Sequence, residues 1–226
     1  MQCLSGMNEV LCQKTEDMAA FEAAAAGARS IVCLEKGNEG FAANATRPGV
    51  NAGRVVVCAE GFAGRNLPVL EPADSAECLS FTRLAFRMSE RLGTPVWLRL
   101  AANVAHTRSA VFDEPQEDLK EAAGLEAFAL PFNRMEMRET AMGVIASGSC
   151  YPYVREALPN ASTLKVGMIH PLPMDLIREF AQKVDRLMVV EQGNSRLGSQ
   201  IKAAGIPCPI KTIVGGHEEW IVPSLR

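Results

Sequence analysis

Glu16 stands where both folding and chemistry can use a carboxylate. It opens the stretch Glu16 to Ala28, EDMAAFEAAAAGA, with Thr15 before it and Asp17 after it. Ala, Met and Glu favour helix and Gly27 sits where a helix would stop, so the stretch predicts a helix with two acids in its first turn. Carboxylates are favoured there by the positive end of the helix dipole, which by itself accounts for Glu16. The same position can also present a carboxylate to a ligand. The residues alone leave both readings open.

Three other groups carry possible chemistry. Ser147-Gly148-Ser149 forms a turn between an apolar run and a helical segment, where backbone amides could hold an anion or simply cap the helix. His170 falls at the end of an apolar run just before Pro171, a place where open α/β sheets put ligands, and serves equally as a polar residue at a domain contact. His106 lies just past another apolar run, and His217 is remote from both. None of the three has a metal-type neighbour at i+3 or i+4. The seven cysteines, Cys3, Cys12, Cys33, Cys58, Cys78, Cys150 and Cys208, contain no C-x-x-C pair, so a zinc ribbon or a locally encoded iron–sulfur loop is not expected. G-x-G-x-x-G, the P-loop pattern and a G-x-S-x-G nucleophile elbow are also missing.

The 226 residues that position these groups are 48% hydrophobic and 22% charged, which fits a globular chain of one large or two ordinary domains. A net charge of −3 argues against nucleic acid or an acidic membrane surface as partner. No segment reaches the roughly 20 apolar residues of a membrane span. The opening MQCLSGMNEV is unlike a secretory leader, and the odd cysteine count then reads as reduced thiols in a cytoplasm.

Strands are expected at Ser30 to Leu34, Arg54 to Ala59, Leu67 to Leu70 and Thr94 to Ala101. Asp74 with Glu77 three residues on predicts a capped helix that runs to Leu92 and stops at Gly93. After a charged, aperiodic stretch the alternation resumes, with strands at Met142 to Ser147, Leu164 to Ile169, Leu187 to Val190 and Ile210 to Val214. Helices at Tyr151 to Leu158, Pro173 to Val184 and Arg196 to Ala204 separate them. The fold class is α/β, with two open parallel-sheet domains at residues 1–112 and 141–226 joined by a linker at 113–140.

Several segments together resemble the 2-oxoacid:ferredoxin oxidoreductase family, in particular its alpha-type indolepyruvate branch. TEDMAAFEAAAAGARSIVCLEKG is similar to the block in which a Glu opens an Ala/Gly-rich helix before a G-A-R strand entry. LPVLEPADSAEC and GTPVWLRLAANVAHTRS resemble two further blocks. GVIASGSCYPYVREAL with LKVGMIHPLPMDLIREFAQKVDRLMVVEQ follows the pattern of the family's later domain, P-L-P included.

This resemblance implies a first domain like the pyrimidine-binding domain of thiamine-diphosphate enzymes, followed by one like the transketolase carboxyl-terminal domain, which packs and positions subunits. Glu16 aligns with the helix-start Glu that faces N1′ of the cofactor's aminopyrimidine. A hydrogen bond there favours the imino tautomer, whose basic nitrogen removes the thiazolium C2 proton. The usual first strand with its G-Y-P-G-T-P-like loop, the G-D-G…N segment for magnesium and diphosphate, and the ferredoxin-type cysteine runs are not matched. The implied arrangement is a partial alpha-type subunit that shares thiamine diphosphate with a partner carrying the diphosphate-binding domain, magnesium and iron–sulfur clusters. It would reach ferredoxin indirectly and could form a homodimer. The alternative is a catalytically inactive paralogue acting as an assembly partner. A separate small-anion-binding protein using the Ser147 to Ser149 turn is a more distant option.

Overall fold

The computed structural model describes residues 9–12, 29–34, 53–59, 67–107, 109–111, 132–193 and 197–213. The expected Ala-rich helix, Glu16 included, lies outside them, as does the expected linker up to residue 131. Two mixed sheets make up the described architecture, which agrees with the expected α/β class.

The first sheet has the order β1-β2-β3-β5-β4-β9. It is built from β1 (Glu9–Cys12), β2 (Arg29–Leu34), β3 (Arg54–Ala59), β4 (Val69–Leu70), β5 (Val96–Leu100) and β9 (Met168–His170). All neighbours are parallel except β4 and β9. The first domain was expected to lack a strand ahead of Glu16; β1 is one, paired in parallel with β2. Helix α1 (Ser75–Leu92) starts as the Asp74/Glu77 spacing predicts. The Asp74 carboxylate accepts from the Glu77 amide at 2.9 Å, and Glu77 reaches back to accept from the Ala73 amide at 2.9 Å. Gly93, at φ +62°, ends the helix in the left-handed conformation that glycine tolerates best. Phe81, Leu84, Ala85 and Met88 recur at helical spacing and bury one face of α1 against Val55, Leu98 and Met168.

The second sheet has the order β11-β10-β7-β8-β6. Its strands are β6 (Asn133–Glu136), β7 (Glu139–Ser147), β8 (Ala161–Val166), β10 (Leu187–Gln192) and β11 (Ile210–Ile213). Helices α3 (Cys150–Ala157), α4 (Met174–Gln182) and α5 (Leu197–Ala203) connect them, and α2 (Ala102–His106) follows β5 in the first domain. Residues 133–140 had been expected to be linker. Instead β6 runs antiparallel to β8 and β7 begins at Glu139. Arg134, Met137 and Glu139 are exposed there, so this sheet edge shows no apolar period from which to read a strand.

The expected strand Leu164 to Ile169 is in fact two strands in two sheets. β8 ends at Val166 in the second sheet, and β9 begins at Met168 as the antiparallel edge of the first. A side chain at Gly167 would run into the Phe132 carbonyl oxygen and stand 2.8 Å from the Phe81 ring, so the crossing needs glycine. The Asn133 carboxamide oxygen accepts from the Gly167 and Met168 amides at 3.0 and 3.3 Å. One apolar cluster then continues across the junction, with Val56 and Trp97 of the first sheet in the same core as Leu164, Ile177 and Phe180.

Candidate functional site

Residues at or just past the carboxyl ends of strands in both sheets meet at one point. Glu71 follows β4 directly, Arg99 stands near the end of β5, and Ser147 closes β7. The Arg99 guanidinium Nη2 donates to the Glu71 carboxylate at 2.9 Å, with side-chain exposures of 10% and 4%. Glu71 is held further by its own amide, which donates to the Gly167 carbonyl at 2.7 Å. Its side chain lies against the open face of Gly148 (φ +50°), where an added Cβ would stand 2.8–3.0 Å from Cγ, Cδ and Oε1. Gly148 immediately precedes Ser149, the N-cap of α3, so this carboxylate from the first domain sits at the positive end of a helix in the second.

That position is also the switch point of the second sheet. From β7 the chain passes through α3 to β8 on one side, while β10 lies on the other side of β7. Open α/β sheets place ligands in the crevice outside the carboxyl ends of two such strands. Here Ser149 Oγ donates to Gln192 Oε1 at 2.5 Å and closes the gap between the ends of β7 and β10. A second tie runs from Asn103 of α2, whose Nδ2 donates to the Tyr153 hydroxyl of α3 at 3.2 Å.

On the α3 face of the same sheet, Lys165 is buried between the domains. Its ammonium pairs with Glu77 of α1 and lies 5.6 Å from the Phe81 ring centroid and 5.4 Å from that of Tyr151. Burial pushes the ammonium down to about 8, with the Asp74 carboxylate pulling the other way. Tyr151 in turn donates to Glu136 at 3.1 Å, and burial together with that bond raises its phenol. Glu136 is also paired with Arg155 and, at 2.8 Å, with Arg134.

The thiols in this region are poor nucleophiles. Burial pushes Cys58 up to about 12, with Arg99 opposing and Glu71 reinforcing, and Cys78 up to about 11. Among the described residues no group of three or more His, Cys, Asp or Glu could hold a metal ion. No helix among them is long and apolar enough to cross a membrane.

Of the residues singled out from the sequence, Glu16 and His217 lie outside the described residues. β1, which ends four residues before Glu16, is four strand steps from β4, so its end lies roughly 19 Å from Glu71 at about 4.8 Å per strand. His106 is exposed at the end of α2. His170 pairs with Val69 in an antiparallel register, which sets it at the start of β4 and away from the carboxyl ends. It stands at the domain contact, the second of its two readings. The Ser147 to Ser149 turn does begin a helix, though Ser149 makes no side-chain cap bond and Gly148 receives a carboxylate instead.

Sequence reasoning missed Glu71, Arg99 and Lys165. A signal existed, since each is a lone charge within or directly after an apolar run (VLE, VWLRL, TLKV). A charge in a strand covered on both faces needs a partner.

Comparison with known proteins places these features in a family context. No family model matches the chain. It is 29% identical to the indolepyruvate oxidoreductase subunit IorA of Methanothermobacter thermautotrophicus, over 90% of this chain and 42% of that one. It is 28% identical to the subunit of the same name from Pyrococcus abyssi, over 78% and 36%. The chain thus spans less than half the length of these relatives. Among solved structures it is similar to a 2-oxoglutarate:ferredoxin oxidoreductase from Magnetococcus marinus (TM-score 0.68, 18% identity, 96% of this chain and 56% of that one). It is also similar to a split-gene transketolase described as an inactive beta4 tetramer (TM-score 0.59, 13% identity, 93% and 83%). The resemblance to the 2-oxoacid:ferredoxin oxidoreductases, drawn from short motifs, therefore extends to most of the sequence and to the fold.

Proposed function

We propose that this chain, a relative of the IorA subunits, is the alpha-type portion of an indolepyruvate-like 2-oxoacid:ferredoxin oxidoreductase and supplies the pyrimidine side of a shared thiamine-diphosphate site. The observation that carries the reading is the similarity to IorA over 90% of the chain. β1 is compatible with it, being parallel to β2 and ending at Cys12, four residues before Glu16.

Bound thiamine diphosphate would supply the carbon nucleophile and electron sink that decarboxylation of a 2-oxoacid requires. The part of this chain is to hold one carboxylate, Glu16, against the aminopyrimidine N1′ and fix a proton at that nitrogen. The buried junction at Glu71 sets the second domain rigidly on the first and so supports the wall that carries β1. The G-D-G…N segment for magnesium and diphosphate is not matched in the sequence, and we assign that anchor and the iron–sulfur clusters to a partner chain.

The test is reconstitution. The chain alone is expected to give no 2-oxoacid-dependent reduction of a viologen dye, and addition of thiamine diphosphate, magnesium and a partner carrying the diphosphate-binding domain is expected to restore it. Glu16→Gln should abolish that activity while the complex still assembles by size-exclusion chromatography. Full activity of the Glu16→Gln complex would leave the second reading, an assembly partner without catalysis.

A further inference from the structure

The crevice that open α/β sheets reserve for ligands is filled here by a side chain of the protein itself. Three features make it more than an ordinary ion pair. The carboxylate of Glu71 lies at the switch point between β7 and β10, at the amino end of α3, against Gly148, where an added Cβ would meet the Glu71 side chain itself. Arg99 uses Nη2 on that carboxylate, while its Nε is buried and finds no hydrogen-bond partner among the described residues. A guanidinium binds a carboxylate best with two parallel donors, so this fork has unused capacity beside the carboxylate. Glu71 and Arg99 both come from the first domain, and the Gly148 turn that faces the carboxylate belongs to the second.

We propose that the carboxyl-end crevice between β7 and β10 is a receptor for small monocarboxylates, with Arg99 as its cation, and that this chain fills it in cis with Glu71. The second domain thus keeps the ligand geometry of its sheet and uses it to dock the first domain. The inference does not depend on Glu16 or on thiamine diphosphate, and its test reads stability rather than turnover.

Truncation at Glu71 creates holes of defined size. Glu71→Ala removes Cγ and the carboxylate, which is the size of acetate, and Glu71→Gly also removes Cβ, which is the size of propionate. Each variant strands the Arg99 charge in a buried place and should melt about 6–20 °C below the natural chain. At about five times its dissociation constant, acetate should raise the midpoint of Glu71→Ala by about 2–4 °C, and chloride at equal ionic strength should not. Propionate should surpass acetate on Glu71→Gly, and neither should move the natural chain. Equal shifts for carboxylates and chloride, or no shift in either variant, overturns the proposal. If the variants do not survive expression, refolding from urea into acetate or chloride gives the same reading. A higher folded yield in acetate supports the receptor, and equal yields reject it.

Discussion

The buried charges at the sheet junction and the charges along the outer face of α4 are the same chemical pairs in opposite surroundings. On α4, Arg178 meets Asp175 at 2.9 Å and Lys183 meets Glu179 at 2.5 Å, all four side chains being roughly half or more exposed. At the junction, Arg99 meets Glu71 at 2.9 Å with both almost sealed from water, and Lys165 meets Glu77 against two aromatic rings. Distance therefore says little about what a pair does. Water screens the α4 pairs, and either partner can be hydrated alone. A junction charge that loses its partner has nowhere to go. The contrast identifies the junction as the place where the chain commits charge to fixing one arrangement of its two sheets.

The sharpest way to break this contrast is Arg99→Met, which keeps much of the side chain's length and leaves the Glu71 carboxylate buried without its cation. Loss of one partner of a buried pair costs about 3–5 kcal/mol. The variant should show a large fall in urea midpoint. Because one apolar cluster spans both sheets, a single transition should report it by circular dichroism and by tryptophan fluorescence alike. A loss below about 1 kcal/mol would put the junction in the same class as α4.

Lys165 gives a smaller effect whose sign is set by proton linkage. Burial lowers its ammonium to about 8 in the folded chain, against an ordinary value of about 10.4 when unfolded. Between these values the unfolded chain binds the proton and the folded chain does not, so this group's contribution to stability rises with pH across the window. Below about pH 8 both states hold the proton, and the contribution stays at its lowest value. Compared with Lys165→Met, the natural chain should gain of order 2 kcal/mol between pH 7.5 and 9.5 in urea unfolding. Cys58 and Cys78 act oppositely, since the folded state keeps their protons longer. Both proteins contain them, so the difference removes their effect. Equal pH dependence in the two proteins would show that Lys165 is hydrated and the contact between α1 and β8 is open.

These results also mark where the sequence could and could not be read. The helix α1 was legible because its cap, its apolar spacing and its Gly93 stop are all local and agree. The helices and central strands of the second sheet were legible for the same reason, as the βα rhythm repeats with turn residues between elements. The passage from β8 to β9 was not. STLKVGMIH is a run buried almost throughout, and nothing local tells that Gly167 moves the chain from one sheet to the other. β6 was hidden for the opposite reason, since an edge strand with exposed charges has no apolar signature. The expected role of Glu16 came from a motif, and its geometry lies outside the described residues. The Glu71 socket could only emerge from long-range contact, because residues 71, 99 and 148 converge through the topology.

The smallest expected effect completes the comparison. Lys183→Ala removes the cation of an i,i+4 pair in which Glu179 precedes the lysine, the favourable order along a helix. Exposed helix pairs of this kind contribute about 0.3–0.5 kcal/mol, and Lys183 also brings its ammonium within 3.9 Å of the Met135 sulfur on β6. Alanine returns part of the loss, because Lys183 is the C-cap of α4 and no longer needs its long side chain ordered. The net change should lie within about 0.5 kcal/mol and shrink further in 1 M salt, where screening falls to about 3 Å. The Arg99→Met loss should hardly respond to the same salt, because ions do not enter the sealed junction. If salt weakened both equally, the Glu71 crevice would have to be open to solvent, and its carboxylate would then be one more surface charge.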